Sequence, residues 1–257
     1  MSFIVNKQRG NSVRVLLAFL VAISFSFTHS ISEKVPSIKI NNPANTVITK
    51  LALYDYLALA ELGLTREAFN YALNGYSILL QQGKIQKDNI LSILDFSLPS
   101  GKKRLFILDL VSGELLFHTY ASHGKKSGTS IPTKFSNNTN SNKSSLGFYL
   151  TGDTYKGKHG ESLRLLGEEK GINDKALQRG IVMHSATYVD ESIIASQGFI
   201  GRSLGCPAIP KNVYKDVIAK IKDGSCFFIY SPDKYYASHS KMIRESTDLL
   251  YSNTESL

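Results

Sequence analysis

The sequence predicts an α+β chain, mainly β, in which helical patterning comes first and a strand-rich domain follows. Three observations carry this. Of 257 residues, 42% are hydrophobic, enough to build a core and to exclude a wholly disordered chain. Thirteen Tyr and thirteen Phe occur without any Trp, and such rings favour pleated surfaces. From about Ile90, short apolar runs bounded by Gly, Ser and Asn replace the helical spacing seen before it.

Residues 1–30 form a predicted secretory signal. "MSFIVNKQRGNSVR" supplies Lys7, Arg9 and Arg14, and Val15 to Phe27 is an uncharged apolar stretch too short for a comfortable membrane span. Thr28 and Ser30 are small enough to flank a cleavage site after Ser30; retention as an anchor helix is the alternative. Either form implies export, with the periplasm of a bacterial envelope as the expected location. No cysteine stands near, so a lipoprotein anchor is excluded.

Residues 31–44 make a polar linker, and 45–90 a helical hairpin. In "TVITKLALYDYLALAELG", Val47, Leu51, Tyr54 and Ala58 fall at helical spacing before Gly63. Thr65 then caps "REAFNYALNGYSILLQQGK", where Phe69, Ala72, Leu73, Tyr76 and Leu80 share a face. Its expected role is packing.

The main domain spans 91–235. "RLFILDL" and "LLFHTYAS" flank a glycine turn as two strands, and "LGFYLTG" and "GIVMHSA" are further strands. The Ser/Asn/Gly/Lys-rich segment from Lys125 to Ser145 lacks an apolar pattern, and loops of this length inside a domain are functional or disordered. "NVYKDVIAKIKDG" sets Val213, Val217, Ile218 and Ile221 on one helical face, and "SCFFIYSP" closes the core as a strand. Residues 236–257 form a polar tail with room for one short helix.

The net charge of +9 draws the protein toward anionic polymers. Its basic residues are dispersed, so the charge is a general attraction and not a nucleic-acid-reading stripe. Two cysteines in an exported chain leave two options open. One is a Cys206–Cys226 disulfide; the other is a reactive thiol with a buried bystander.

A thiol nucleophile needs an imidazole to take its proton and donors to hold the oxyanion it creates. His184 ends "GIVMH", and "SLGC" brings Ser203, Gly205 and Cys206 together. Gly205 permits close backbone approach, so the amides around Gly205 and Cys206 are oxyanion-hole candidates. Pro207 stiffens the following turn.

"MHSATYVDESIIASQGFIGRSLGCPAIP" resembles the signature of the murein L,D-transpeptidase catalytic family, in the branch ending Gly-Arg-Ser-x-Gly-Cys-Pro-Ala. "ILDFSLPSGKKRLFILDL", "ASHGKKSGT", "FSNNTNSNKSSLGFYLTGDTYKGKHGESLRLLGEEKGIND" and "GSCFFIYSP" resemble family segments in family order, over roughly Leu91 to Tyr235. The resemblance implies a YkuD-type mixed β-sandwich. It implies that Cys206 attacks the carbonyl of the third residue of a peptidoglycan stem peptide, with His184 as base or thiolate partner. The Ser185 carbonyl would orient the imidazole, Gly205 would serve the oxyanion hole, and Ser203 would shape the loop and line the substrate site. Release of D-Ala and attack by a neighbouring stem amine would give a 3→3 cross-link; water instead would give carboxypeptidase or endopeptidase activity. Carbapenem-type inhibitors would acylate Cys206, which must then be free. A non-catalytic wall-binding protein with a Cys206–Cys226 bond is the reading from another class. Where branch members have Gly after the site histidine, Ser185 narrows the pocket. Relatives that place His before the Gly-Cys pair are matched here by Leu204.

Among other residues, Arg202 is a candidate for binding a stem-peptide carboxylate bidentately, and His123 for lining the cleft. Tyr149, His159 and Tyr188 read as structural, and Cys226 as a buried strand thiol. No metal-ligand spacing links the cysteines and histidines. The resemblance implies no cofactor, metal, nucleic acid or stable protein partner.

Overall fold

A computed structural model of the chain describes residues 52–158 and 160–243. The predicted signal and linker and most of the terminal tail lie outside these residues, as does His159.

The chain builds one eight-stranded mixed sheet. Its strands are β1 (Ile90–Asp95), β2 (Leu105–Asp109), β3 (Glu114–Thr119), β4 (Gly147–Gly157), β5 (Gly160–Gly167), β6 (Val182–Ser185), β7 (Ala208–Ile209) and β8 (Cys226–Tyr230). They lie in the order β3-β2-β1-β8-β4-β5-β6-β7. β1 with β8 and β6 with β7 are parallel pairs; the remaining neighbours are antiparallel. The fold is α+β and mainly β, as the aromatic-rich, Trp-free composition predicts.

β1, β2 and β8 are buried at every position. This is why "ILSILD", "LFILD" and "CFFIY" read as nearly continuous apolar runs and not as alternating ones. The last strand, β8, lies between β1 and β4, so the core closes only when the end of the domain inserts.

Helix α1 (Arg66–Gln81) covers this sheet with Phe69, Ala72, Leu73 and Tyr76 buried as predicted, while Leu80, expected on the same face, is exposed and Leu79 is buried. Thr65 caps it by accepting from the Ala68 amide at 3.2 Å. The Thr65 hydroxyl also donates to Asp95 at the end of β1, at 3.1 Å, so the cap ties helix to sheet. Gly75 lets α1 approach closely: a Cβ there would lie 2.1 Å from Cζ of Phe148, whose ring stacks on Phe228 at 4.2 Å.

The first predicted helix is shorter than its pattern. Among the described residues it is helical only over 52–56, followed by turns to 63. Ala58 takes φ +47°, which ends regular helix, and the Leu59 amide reaches back to the Tyr54 carbonyl at 3.1 Å.

Three more helices follow: α2 (Glu191–Gln197), α3 (Tyr214–Ile221) and α4 (Lys234–His239). α3 buries Val217, Ile218 and Ile221 as predicted. The beginning of the tail is less polar in effect than in composition. α4 crosses the expected boundary at residue 236, Tyr236 is buried, and its hydroxyl donates to Glu169 at 3.0 Å.

The Gly75 contact reverses an ordinary expectation. Ala normally stabilises a helix interior over Gly by about 1 kcal/mol. Here Gly75→Ala is expected to destabilise by roughly 1–3 kcal/mol through overpacking, read as a lower urea midpoint with unchanged m-value.

Candidate active site

Strand register brings His184 and Cys206 to one end of the sheet. His184 sits in β6 opposite Ala208, and Ser185 opposite Ile209, in the parallel β6–β7 pair. Cys206 stands two residues before Ala208, at the mouth of the same pair. A small apolar cluster of Ala186, Val189, Ile200 and Ala208 supports this end, with Tyr188 and Ile194 packed against it.

The His184 imidazole is nearly buried, with 5% of its surface exposed. Its Nδ1 lies 2.9 Å from the Ser185 carbonyl oxygen. A carbonyl only accepts, so Nδ1 carries a proton, and in the neutral form of the ring Nε2 is the basic nitrogen.

Cys206 is partly exposed and unbridged, and Cys226 is buried and also unbridged. The Cys206–Cys226 disulfide is therefore corrected: Cys226 belongs to the central strand β8, paired with β1 and β4. Burial pushes the Cys226 thiol far up. At Cys206 burial also raises the thiol above its ordinary value, opposed by the backbone amide of Val182, the Arg179 charge and its own amide. The sulfur donates weakly to the Gly180 carbonyl at 3.6 Å. At rest Cys206 is a protonated thiol.

The loop carrying Cys206 is fixed by three serine hydroxyls, each used as both donor and acceptor. Ser203 Oγ donates to the Cys206 carbonyl at 2.6 Å and accepts from the Gly205 amide at 3.0 Å. Ser122 Oγ reaches the Cys206 carbonyl at 3.4 Å and accepts from the Ala208 amide at 3.0 Å. Ser144 Oγ donates to the Gly205 carbonyl at 3.0 Å and accepts from the Gly124 amide at 3.0 Å.

Two expectations change accordingly. Ser203 is buried, 5% exposed, and its hydroxyl is engaged within the loop. The Gly205 amide, expected to serve an oxyanion hole, donates to Ser203 Oγ. What Gly205 supplies is its backbone: φ is +137°, and a Cβ would lie 2.9 Å from the Lys143 carbonyl.

His123 is likewise corrected. It has no exposed surface, and its ring is held between Arg104 Nη2 at 2.8 Å and the Gly128 carbonyl at 3.2 Å. Because Arg104 only donates, Nδ1 accepts and Nε2–H donates to Gly128. Burial and the Arg104 charge push its pKa down to about 3. The ring stays neutral and braces the site, since the His123 carbonyl accepts from the Ser203 amide at 2.9 Å.

Arg202 is exposed and holds the Gly128 carbonyl at 3.1 Å through one nitrogen, which leaves guanidinium donors facing outward. Tyr188, read as structural, lies nearer the chemistry: burial raises its phenol, Ser122 opposes this, and the Cys206 sulfur adds to it. Tyr149 is buried and donates to the Ser145 carbonyl at 3.1 Å. Sequence reasoning missed Arg179, Ser122 and Ser144, whose relation to Cys206 exists only across the fold. Leu204, 59% exposed and two residues before Cys206, was visible in the motif. Among the described residues no group of three His, Cys, Asp or Glu converges as metal ligands would.

A mainly β domain with a histidine and an unbridged cysteine at one strand-pair end is the architecture of the L,D-transpeptidase class. The L,D-transpeptidase catalytic domain family (YkuD_2) matches residues 60–230, and the chain belongs to this family. No curated protein matches it in sequence. Among solved structures, an L,D-transpeptidase from Mycobacterium smegmatis is 16% identical, covering 56% of this chain and 59% of that one, with TM-score 0.35. Bd1075 of Bdellovibrio bacteriovorus is 14% identical over 64% and 56%, with TM-score 0.37. A mutant of the helical cell shape determining protein Pgp2 of Campylobacter jejuni is 15% identical over 73% and 65%, with TM-score 0.36. The chain spans less than two thirds of the length of each of these. Family membership rests on the matched residues alone.

Because burial disfavours the thiolate, alkylation of Cys206 by iodoacetamide is expected to rise with pH through a midpoint above the ordinary thiol value of about 8.5. Peptide mass analysis reads the rate at each pH. Gly205→Ala is expected to cost about 1–3 kcal/mol through strain at positive φ, measured by urea unfolding.

Proposed function

We propose that the protein is a peptidoglycan L,D-transpeptidase of the bacterial periplasm, with Cys206 as its nucleophile and His184 as its base. The observation that carries this reading is the β6–β7 register, which brings a histidine of fixed tautomer and an unbridged thiol to one end of a rigid strand pair. Family membership supports it independently.

The reaction follows from these groups. His184 Nε2 takes the thiol proton, and the sulfur attacks the carbonyl carbon at stem-peptide position three. The carbonyl π electrons move to oxygen, where the Cys206 amide stabilises the charge. Collapse breaks the C–N bond, and imidazolium returns the proton to the departing D-Ala amine. A thioester remains. An amine from a neighbouring stem then attacks it, loses a proton to His184, and forms the new C–N bond as the C–S bond breaks and the thiol is restored. With water as acceptor the same acyl-enzyme yields carboxypeptidase or endopeptidase products. Exposed Arg202 is positioned for a peptide carboxylate, and the +9 charge suits an anionic wall polymer.

Cys206→Ala is expected to abolish both 3→3 cross-linked products from purified muropeptides and the intact-mass increase on treatment with a carbapenem. Retained labelling would sink the nucleophile assignment. His184→Ala is expected to slow acylation about 100-fold, the usual size of a general-base contribution, by stopped-flow or quench measurement. The masses of the muropeptide products decide between transfer and hydrolysis.

A further inference from the structure

We propose that Arg179 is a positioning residue that locks the 136–145 segment onto the nucleophile loop and provides the fixed counter-charge for the Cys206 sulfur as it ionises. The inference rests on Cys206 being the nucleophile but not on peptidoglycan being the substrate.

Arg179 is half-buried in the turn that leads into β6. Its Nη1 donates to the Ser136 carbonyl at 2.7 Å and to Ser145 Oγ. Its Nη2 donates to the Lys143 carbonyl at 2.6 Å and to Ser141 Oγ at 3.2 Å. The same Nη2 lies 3.5 Å, and the gripped Lys143 carbonyl 2.9 Å, from where a Gly205 Cβ would stand. The next residue, Gly180, accepts from the Cys206 thiol itself. One side chain thus grips the segment that covers Gly205 while its neighbour touches the sulfur.

All four partners of the guanidinium are neutral. Burial holds its pKa below the ordinary guanidinium range, opposed by Tyr149 and Cys206. Neutral donors would suffice to lace carbonyls and hydroxyls together; a desolvated cation is costly for that purpose alone. The cost is recovered when an anion forms beside it. Other groups face the sulfur too: exposed Lys158 from the β4–β5 turn, phenolic Tyr188 from the stretch before α2, and His184 of the neighbouring β6. Of the two cations, only Arg179 is held in place by four hydrogen bonds.

The experiment is iodoacetamide alkylation of Cys206 across pH in the full chain, comparing Arg179→Gln with Arg179→Lys. Loss of the charge in Arg179→Gln is expected to raise the midpoint by about one pH unit, a tenfold slower rate at pH 7. Arg179→Lys keeps the charge and is expected to hold the midpoint within a few tenths, although both variants melt lower because the fork is lost. An unmoved midpoint in Arg179→Gln with equal melting losses in both overturns the proposal and leaves Arg179 as lacing only. Should Arg179→Gln not fold, Cys206→Asp and Cys206→Lys supply the test on the natural scaffold. Burial penalises either charge at position 206, so the sign decides: beside a fixed cation Cys206→Asp is expected to melt above Cys206→Lys at pH 7. Cys206→Lys melting at or above Cys206→Asp overturns the proposal. A shifted alkylation midpoint alongside inert muropeptides would uphold the role of Arg179 and remove only the reaction assignment.

Discussion

Ser122, Ser144 and Ser203 hold the Cys206 loop by its backbone, and this hydroxyl lacing is what the arrangement around Cys206 depends on. A loop beside a sheet edge carries amides and carbonyls that no strand ladder satisfies, and burying them unpaired costs about 1–3 kcal/mol each. Each serine settles one donor and one acceptor with a single oxygen. The arrangement fixes the carbonyls of Gly205 and Cys206 and thereby the direction of the intervening peptides. It also engages the Gly205 amide.

The lacing is itself founded on deeper elements. Ser122 belongs to a segment whose Ala121 carbonyl takes two donors from fully buried Arg104, at 2.9 and 2.8 Å. Arg104 also holds His123, and His123 in turn receives the Ser203 amide. From the opposite side, Arg179 gathers Ser136, Ser141, Lys143 and Ser145, which brings Ser144 to Gly205. Two arginines, one under the loop and one over it, turn a sequence rich in Ser and Asn into ordered structure. Asn140 and Asn142 help by taking φ of +58° and +55°, conformations that Asn tolerates better than most side chains.

Electrostatics then divides the labour. The Cys206 thiol donates weakly to the Gly180 carbonyl, and burial disfavours its ionised form. The imidazole is held in one tautomer by the Ser185 carbonyl, so the basic nitrogen is defined before any substrate arrives. Cationic groups around the sulfur favour the ionised form without making it the ground state. Such a balance ties nucleophile formation to the arrival of a proton acceptor and an electrophile.

Much of this was legible in the sequence, and the reason is local physics. Apolar runs gave β2, β8 and much of β4; helical spacing gave the faces of α1 and α3; Thr65 marked a cap. One His and one Cys carry little signal alone; Cys206 and His184 stood out because the segment around them resembles the L,D-transpeptidase signature. β1 was not singled out although it is buried throughout; β5, β7 and α2 escaped notice because they are short or mixed in composition, and tertiary pairing supplies the order that propensity does not. The first helix stopped early at Ala58 because packing imposed a left-handed residue that periodicity cannot foresee. His123 looked like a cleft residue until burial beside Arg104 removed its surface. Arg179 carried no signal at all: its distance from Cys206 along the chain conceals a contact made only when the 136–145 segment folds over the loop. Composition and motif thus determined which atoms could react. The tertiary structure alone decided which amides, hydroxyls and charges surround them, because those contacts join segments that sequence order keeps apart.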